Sequence, residues 1–262
     1  MPLTFSITKA YPLDIASDCW RGVMIDDPVE FDIYLRGPVW KRVTDSAFED
    51  DFAADLNALT TAEMDTSVLT ALLQAANPPL DWEVGEAMAE CLLEDELNAV
   101  WPWNENRDKK TPKASLPGAD IVGFLGDGDE TIFLFGEVKT SSHADNPPGV
   151  MSGRSGLAHQ IDTLADDREI HRTLIQWLFA RCRSVPHFKA RYDMALKRYL
   201  QSDGTDFAIV GVLLRDTAPH ADDLRTRGTK LDGLPVGPRR RLDAWYTPRA
   251  ISDWVRIAEA AS

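Results

Sequence analysis

The sequence predicts an α/β fold in which helices flank a mixed central sheet. Two strongly apolar runs, TIFLFGEVKT (131–140) and DFAIVGVLLRD (206–216), are rich in residues that favour strands. The second run shows no alternation, which is typical of a strand buried on both faces. The segments around these runs carry apolar residues at helical spacing. A chain of 262 residues is long enough to bury a substantial core around such a sheet.

The first 78 residues are predicted to form an acidic region of mixed helices and strands. VEFDIYLRG (29–37) alternates as a strand does, whereas DSAFEDDFAADLNAL (45–59) and DTSVLTALLQAA (65–76) have helical spacing. The chain breaker NPPLD follows and is the best candidate for a boundary. We therefore predict an acidic α+β N-terminal region over residues 1–78 and a second domain over residues 79–262.

The second domain is predicted to begin with a helix, WEVGEAMAECLLEDEL (82–97). The strands ADIVGF and TIFLFGEVKT follow, and the LGDGDE between them is typical of a hairpin. Helices are predicted over LAHQIDTLADD, EIHRTLIQWLFARC and HFKARYDMALKRYLQ, and they lead into the strand DFAIVGVLLRD. A further strand, RRRLDAWYT, and an amphipathic helix, ISDWVRIAEAA, complete the predicted order.

Composition points to a cytoplasmic protein. The first residues, MPLTFSITKAYPLDI, lack the basic and apolar regions of a signal peptide. No apolar stretch approaches the roughly 20 residues needed to cross a bilayer, so we expect no membrane partner. Cys19, Cys91 and Cys182 are widely spaced and form no CxxC pair, which favours reduced thiols over a disulfide framework or a zinc site.

The charge is distributed unevenly. Residues 1–100 hold 5 basic and 20 acidic residues, a net charge of −15, whereas residues 101–262 have a net charge of +1. Within the second part, residues 168–200 contain 8 basic and 2 acidic residues. This segment is expected either to face the phosphates of a nucleic acid or to form an ordinary solvated helix surface.

The strand FLFGEVKT places a carboxylate and an ammonium on one face. Side chains alternate along a strand, so Glu137 and Lys139 point the same way while Val138 points to the opposite face. If the hairpin turns around Asp127 and Gly128, Asp120 lies opposite about residue 135. A shift of one or two residues in register would bring Asp120 beside Glu137.

Two neighbouring carboxylates resist joint ionisation unless a cation lies between them. Carboxylate oxygens suit Mg²⁺ or Mn²⁺, and such a metal activates water and stabilises charge on a phosphodiester. The sequence therefore indicates a metal-dependent hydrolytic site at Asp120 and Glu137, where Lys139 would hold a phosphate or polarise the water. The alternatives are that Asp120 caps a hairpin and that Glu137 and Lys139 form an exposed ion pair of little consequence. The E-x-K triplet is too short to decide between them.

The order of elements around this triplet resembles the PD-(D/E)xK nuclease superfamily. The resemblance lies in WEVGEAMAECL, LPGADIVGF, FLFGEVKTSS and GLAHQIDTL and covers roughly residues 82–216. It implies a restriction-endonuclease-like core and a deoxyribonuclease activity. The superfamily has proline directly before the aspartate, whereas here Ala119 holds that position and Pro117 is displaced.

The resemblance also implies roles for individual residues. Asp120 and Glu137 would bind the metal, with the carbonyl of Val138 as a third ligand, and Lys139 would be the catalytic lysine. Glu86 would be the helix carboxylate that completes the metal site, although Glu90 lies one turn away and could serve instead. Gln160 would help position the site or the substrate. Taken alone, Glu86 and Gln160 are also what a solvated helix surface would show.

More narrowly, the chain resembles the nuclease subunit of Hachiman-type bacterial anti-phage defence systems, through LPGADIVGF, GEVKTSS and GVMSGRSGLAHQI. This resemblance implies a DNA substrate and a separate helicase partner that restrains the nuclease until it meets abnormal DNA. The acidic N-terminal region would then dock on a basic partner surface and repel DNA. The chain has no GxxxxGK[ST] motif, so any motor activity would come from the partner. The alternative function is a non-catalytic interaction or DNA-mimic module that retains the nuclease fold.

Overall fold

A computed structural model describes residues 3–12, 19–61, 66–73, 79–108, 118–234 and 237–260. Its centre is a six-stranded sheet with the strand order β1-β2-β6-β5-β4-β3. The central strands β2, β6, β5 and β4 run parallel to one another, and the edge strands β1 and β3 are antiparallel to their neighbours. The strands are β1 (Ile7–Tyr11), β2 (Trp20–Ile25), β3 (Ile121–Leu125), β4 (Ile132–Ser141), β5 (Ala208–Arg215) and β6 (Arg239–Tyr246).

Helices cover both faces of the sheet, and each face has its own hydrophobic core. The first core contains residues of α1, α5 and α10, and the second contains residues of α6, α7, α8 and α9. The helices are α1 (Pro28–Tyr34), α2 (Trp40–Val43), α3 (Ser46–Leu59), α4 (Thr66–Leu73), α5 (Asp81–Leu97), α6 (Leu157–Asp166), α7 (Arg168–Cys182), α8 (Pro186–Gln201), α9 (Arg225–Asp232) and α10 (Trp254–Glu259). The expected class, an α/β fold with a mixed sheet flanked by helices, is confirmed.

The strand predicted from DFAIVGVLLRD is β5, and all eight of its residues are buried. Its position between β4 and β6 explains this burial, because a central strand with helices on both faces has no side exposed to water. The predicted helices over residues 45–59, 82–97 and 157–201 are also present. No helix in the described ranges is long and apolar enough to cross a bilayer.

The prediction of a strand over residues 29–37 is wrong. The carboxylate of Asp27 accepts hydrogen bonds from the N–H groups of Val29 (2.7 Å) and Glu30 (3.2 Å), and Pro28 is at the first helical position. These features begin α1, and a π-helical turn over Leu35–Val39 continues it into α2. Phe31, Tyr34 and Leu35 are buried, so the apolar period follows a helix and not a strand.

The N-terminal strands β1 and β2 were not predicted, and they extend the same sheet as the later strands. β2 pairs in parallel with β6, with Gly22 beside Ala244. Val23 and Phe31 lie in one hydrophobic core with Val84 and Trp254, on the other side of the predicted boundary. Residues 77 and 78, where the boundary was placed, lie outside the described residues, and the division into two domains stays a prediction.

Candidate active site

The pairing of β3 with β4 brings Asp120 beside Glu137. Ile121 pairs with Gly136, so continuing the register by one residue sets Asp120 opposite Glu137. The expected partner, residue 135, was off by two positions. The connection over residues 126–131 contains a 3₁₀ turn at Gly128–Glu130. The centre of this connection therefore lies one residue later in the chain than the centre of the predicted turn. A change of one residue at the turn moves the partner of Asp120 by two.

Three charged groups converge at this point of the sheet. The backbone N–H of Val138 donates to Asp120 Oδ2 over 2.9 Å. Lys139 Nζ lies 3.1 Å from Glu137 Oε2 and 3.7 Å from Asp120 Oδ2. The structure therefore brings together the three side chains that the sequence singled out. Leu116 and Pro117, from the LPGADIVGF segment, lie outside the described residues.

Glu137 is the most deeply buried member of the group. It is 2% exposed and follows Phe133 and Phe135 along the same face of β4, which both belong to the core under α6 to α8. The side chains of Lys139 and Asp120 are 21% and 26% exposed, so the site opens to solvent on their side. Burial, together with the nearby Asp120 carboxylate, raises the pKa of Glu137 to about 8 against the opposing effect of Lys139.

The donor set suits a hard divalent cation. The described residues contain no group of three or more His, Cys, Asp or Glu side chains placed to hold a metal. The two carboxylates of Asp120 and Glu137 would therefore need a further ligand. In an extended strand the N–H and C=O of one residue point to the same side, so the carbonyl of Val138 faces the side on which its N–H meets Asp120. These three oxygen donors fit Mg²⁺ or Mn²⁺.

Helix α5, which carries Glu86, packs against the other face of β4. A Cβ atom on Gly85 would lie 2.5 Å from Thr140 Cγ2, so only glycine allows this close approach. Glu86, which is partly buried, is the next residue and has interactions of its own. Glu90, the alternative helix carboxylate, instead accepts a hydrogen bond from Arg42 over 3.2 Å. Its pKa is raised to about 6, mainly by burial. Glu90 thus helps to hold α2 against α5.

Helix α6 carries Gln160 and lies over the face of the sheet to which Glu137 and Lys139 belong. Gly211 of β5 pairs with Glu137 and contacts α6 closely. A Cβ atom added to this glycine would lie only 2.3 Å from Ile161 Cδ1. Ile161 is the residue after Gln160. The Oε1 atom of Gln160 is buried and has no hydrogen-bond partner among the described residues. A buried amide oxygen without a partner is uncommon, and it is typical of functional sites or of sites that bind water or an ion.

A buried charged cluster that was not predicted from the sequence lies next to this site. Arg215, at the end of β5, is fully buried and pairs with Asp223 over 2.7 Å. Its guanidinium also donates to the carbonyls of His143 and Asp145 and to Asn146 Oδ1. Arg215 therefore holds the loop that leaves β4 after Lys139. The arginine at the end of an otherwise apolar strand was the available signal.

The basic segment over residues 168–200 forms α7 and α8, and much of its charge is paired. Four side chains form ion pairs with carboxylates: Arg181 with Asp108, Lys189 with Asp193, Arg191 with Asp127, and Arg198 with Asp206 and Glu130. Arg172, Arg183 and Lys197 are exposed, and no partner is found for them within the described ranges. Arg168 is also exposed, and it donates to the carbonyl of Asp203. A phosphate-binding surface on these helices stays a prediction, now limited mainly to these four residues.

Comparison with known proteins gives no assignment. No protein-family model matches the chain, and neither a curated protein nor a solved structure shows significant similarity to it. The case for a function therefore rests on the geometry of the site and on the motifs of the sequence.

Proposed function

We propose that this protein is a metal-dependent nuclease of the PD-(D/E)xK type, which hydrolyses DNA phosphodiester bonds. The observation that carries the proposal is the convergence of Asp120, Glu137 and Lys139 on adjacent strands, with Lys139 Nζ 3.1 Å and 3.7 Å from the two carboxylates. An isolated surface ion pair would not bury one carboxylate almost completely. A buried carboxylate that has charged neighbours and a strongly raised pKa is characteristic of functional sites.

Each residue would have a defined role. Asp120 and Glu137, with the carbonyl of Val138, would hold Mg²⁺ or Mn²⁺, which would supply an activated water and neutralise charge on the phosphate. Lys139 would position that water or the phosphate that it attacks. Gln160 would contact the substrate or the site from α6. The role expected for Glu86 stays a prediction, because α5 covers the face of β4 opposite to Glu137 and Lys139. The restriction-endonuclease-like identity of the fold belongs to this proposal.

The biological setting that we propose is anti-phage defence in the bacterial cytoplasm. It rests on the resemblance to Hachiman-type nuclease subunits and includes a helicase partner that controls cleavage. The charge distribution supports such control, because residues 1–100, with a net charge of −15, repel DNA and attract a basic protein surface. A second candidate, a non-catalytic binding module, is favoured by one observation, the apolar surface exposed on the N-terminal helices.

DNA cleavage by the purified chain tests the proposal. Plasmid and single-stranded DNA are incubated with the protein in Mg²⁺, in Mn²⁺ and in chelator, beside the double variant Glu137→Ala/Lys139→Ala. Lys9→Ala is the matched control, because Lys9 is exposed on β1 at the opposite edge of the sheet. We expect cleavage that requires metal, survives in Lys9→Ala and is lost in the double variant.

If the wild type is inactive alone, the assay is repeated with the helicase partner. Cleavage that appears only with the partner would support a restrained nuclease. Inactivity under both conditions would reject the proposal in favour of the binding module. Equal cleavage by the wild type and the double variant would show that Glu137 and Lys139 do not form the catalytic site.

A further inference from the structure

The apolar surface of this protein is concentrated in one short part of the chain. Fourteen large hydrophobic residues are exposed among the described residues, and ten of them lie between positions 29 and 82. Solvent-exposed apolar residues are ordinary when they are scattered singly. Where such residues adjoin in space, as Phe48 and Phe52 do, they mark a surface that another molecule covers.

Helix α3 is the clearest part of this surface. It has fourteen residues, and none of them is buried. An isolated helix of this length is only marginally stable in water, and most helices in proteins are stabilised by packing an apolar face. Among the residues that the structure describes, α3 is tied to the rest of the chain at its beginning, where Asp45 pairs with Arg107 and the Arg107 guanidinium lies 4.7 Å from the centre of the Phe48 ring. Further along the helix, Ala53 and Leu56 are only partly buried.

The exposed apolar residues of α3 form a single stripe. Phe48, Phe52 and Leu59 are 39%, 40% and 75% exposed. At about 100° per residue, positions 48, 52 and 59 lie within about 40° of one another around the helix axis. The rings of Phe48 and Phe52 are stacked, with centroids 6.5 Å apart. Anchors spaced in this way are those with which an amphipathic helix binds an apolar groove.

The charges beside the stripe define the groove. α3 carries Glu49, Asp50, Asp51 and Asp55 and no basic residue. Asp51 and Asp55 lie along one side of the stripe, about 60° and 20° from Phe48, and Glu49 lies on the other side. A groove that receives this helix must therefore be apolar along its floor and edged by lysine or arginine. The same region of a second copy is a poor occupant, because residues 26–82 hold 12 acidic and 3 basic residues and would repel themselves.

We infer that α3 is a docking helix, which inserts Phe48, Phe52 and Leu59 into a basic-edged apolar groove on another protein. The inference rests on the proposed function only in that both give the chain a protein partner. It names the element that makes the contact and the chemistry of the surface that receives it. Its test measures binding and not cleavage, so the two proposals can fail separately.

The test begins with a photo-reactive benzoylphenylalanine at position 52 of the full chain, expressed in its host cell. The same probe at position 179 is the control, because Phe179 is equally exposed, at 42%, but lies on α7. We expect one heterologous protein to cross-link through position 52 and not through position 179. An adduct with a second copy of the chain, or no adduct specific to position 52, would overturn the inference.

The cross-linked protein is then purified, and its binding to the intact chain is measured. We expect Phe52→Ser/Leu59→Ser to weaken binding at least tenfold, and Asp51→Lys/Asp55→Lys to do the same. Phe179→Ser should leave the affinity unchanged, and raising NaCl from about 50 to about 500 mM should weaken it. All these side chains are exposed, so circular dichroism should show intact folds. An affinity that the α3 variants or the higher NaCl concentration leave unchanged would refute the docking helix.

Discussion

The backbone N–H of Val138 donates to Asp120 Oδ2 over 2.9 Å. The backbone of β4 thus fixes the carboxylate of the residue that directly precedes β3. The bond sets the direction of the Asp120 side chain before any ligand binds. It also uses an N–H group beyond the last pair of the β3–β4 ladder, Ile121 with Gly136. The site is thus preorganised by the same backbone that carries Glu137 and Lys139, which is what electrostatic catalysis requires.

Asp120→Asn should separate the structural role of this residue from its charge. The amide oxygen can accept the same bond from Val138, so we expect the melting temperature to stay within a few degrees. If Asp120 binds the metal as proposed, loss of its carboxylate removes a ligand, and cleavage should fall by more than the about 10–100-fold that follows changes next to a metal site. Melting curves and single-turnover cleavage check both parts. Full cleavage by a folded Asp120→Asn protein would show that this carboxylate is not a ligand.

The metal-free protein should lose stability as the pH rises. The pKa of Glu137 is about 8 in the folded chain and lies near 4.5 when unfolded, so the folded state binds more protons between these values. Stability therefore falls as the pH rises from about 5 to about 8. Each pKa unit corresponds to about 1.4 kcal/mol, which gives a loss of a few kcal/mol.

Urea denaturation in chelator at several pH values measures this loss. Glu137→Gln should flatten the dependence, and so should Mg²⁺, which favours the ionised carboxylate. The difference between wild type and Glu137→Gln separates Glu137 from Glu90, whose pKa of about 6 acts in the same direction. A slope that Glu137→Gln leaves unchanged would rule out this origin.

Gln160→Met should cost activity without costing stability. Leaving a buried polar atom unpaired costs about 1–3 kcal/mol, and methionine removes the unpaired Oε1 while keeping the length of the side chain. We expect the free energy of unfolding to be unchanged or about 1 kcal/mol higher, and cleavage to fall. Gln176→Met, on the exposed side of α7, is the control for both measurements. A variant that is less stable but fully active would mean that Gln160 serves only the core.

Arg215→Met should destabilise the protein by about 3–5 kcal/mol, because the buried Asp223 carboxylate keeps its hydrogen bond from the Tyr246 hydroxyl but loses its cationic partner. The double variant Arg215→Met/Asp223→Leu should recover part of this loss, as expected for coupled residues. Amide exchange in residues 143–146 should quicken in Arg215→Met, because the arginine no longer holds that loop. Additive losses of stability in the double variant, or unchanged amide exchange in residues 143–146, would show that Arg215 does not hold this loop through its pair with Asp223.

The features that could be predicted from the sequence are those that depend on a local pattern. The burial of β5 follows from an unbroken apolar run, and the shared face of Glu137 and Lys139 follows from the alternation of a strand. The prediction of a strand over 29–37 failed because the Asp27 N-cap and Pro28 favour a helix more strongly than the weak alternation favours a strand. The exact partner of Asp120 depended on a 3₁₀ turn that the LGDGDE segment does not specify. The role of Arg215 depends on three distant segments, and no local pattern brings them together.

The strand order also has a consequence for folding. β2 is complete at residue 25, but its parallel partner β6 comprises residues 239–246. As the chain is synthesised, the β1–β2 hairpin must therefore wait for more than 200 residues before it can join the sheet. The strands β3, β4 and β5, which carry the site, can pair once residue 215 has been made. Pairings between distant segments are slow to form and leave strand edges open in the meantime. The acidic N-terminal segment would keep that waiting hairpin soluble, and the candidate site can assemble before the sheet is closed.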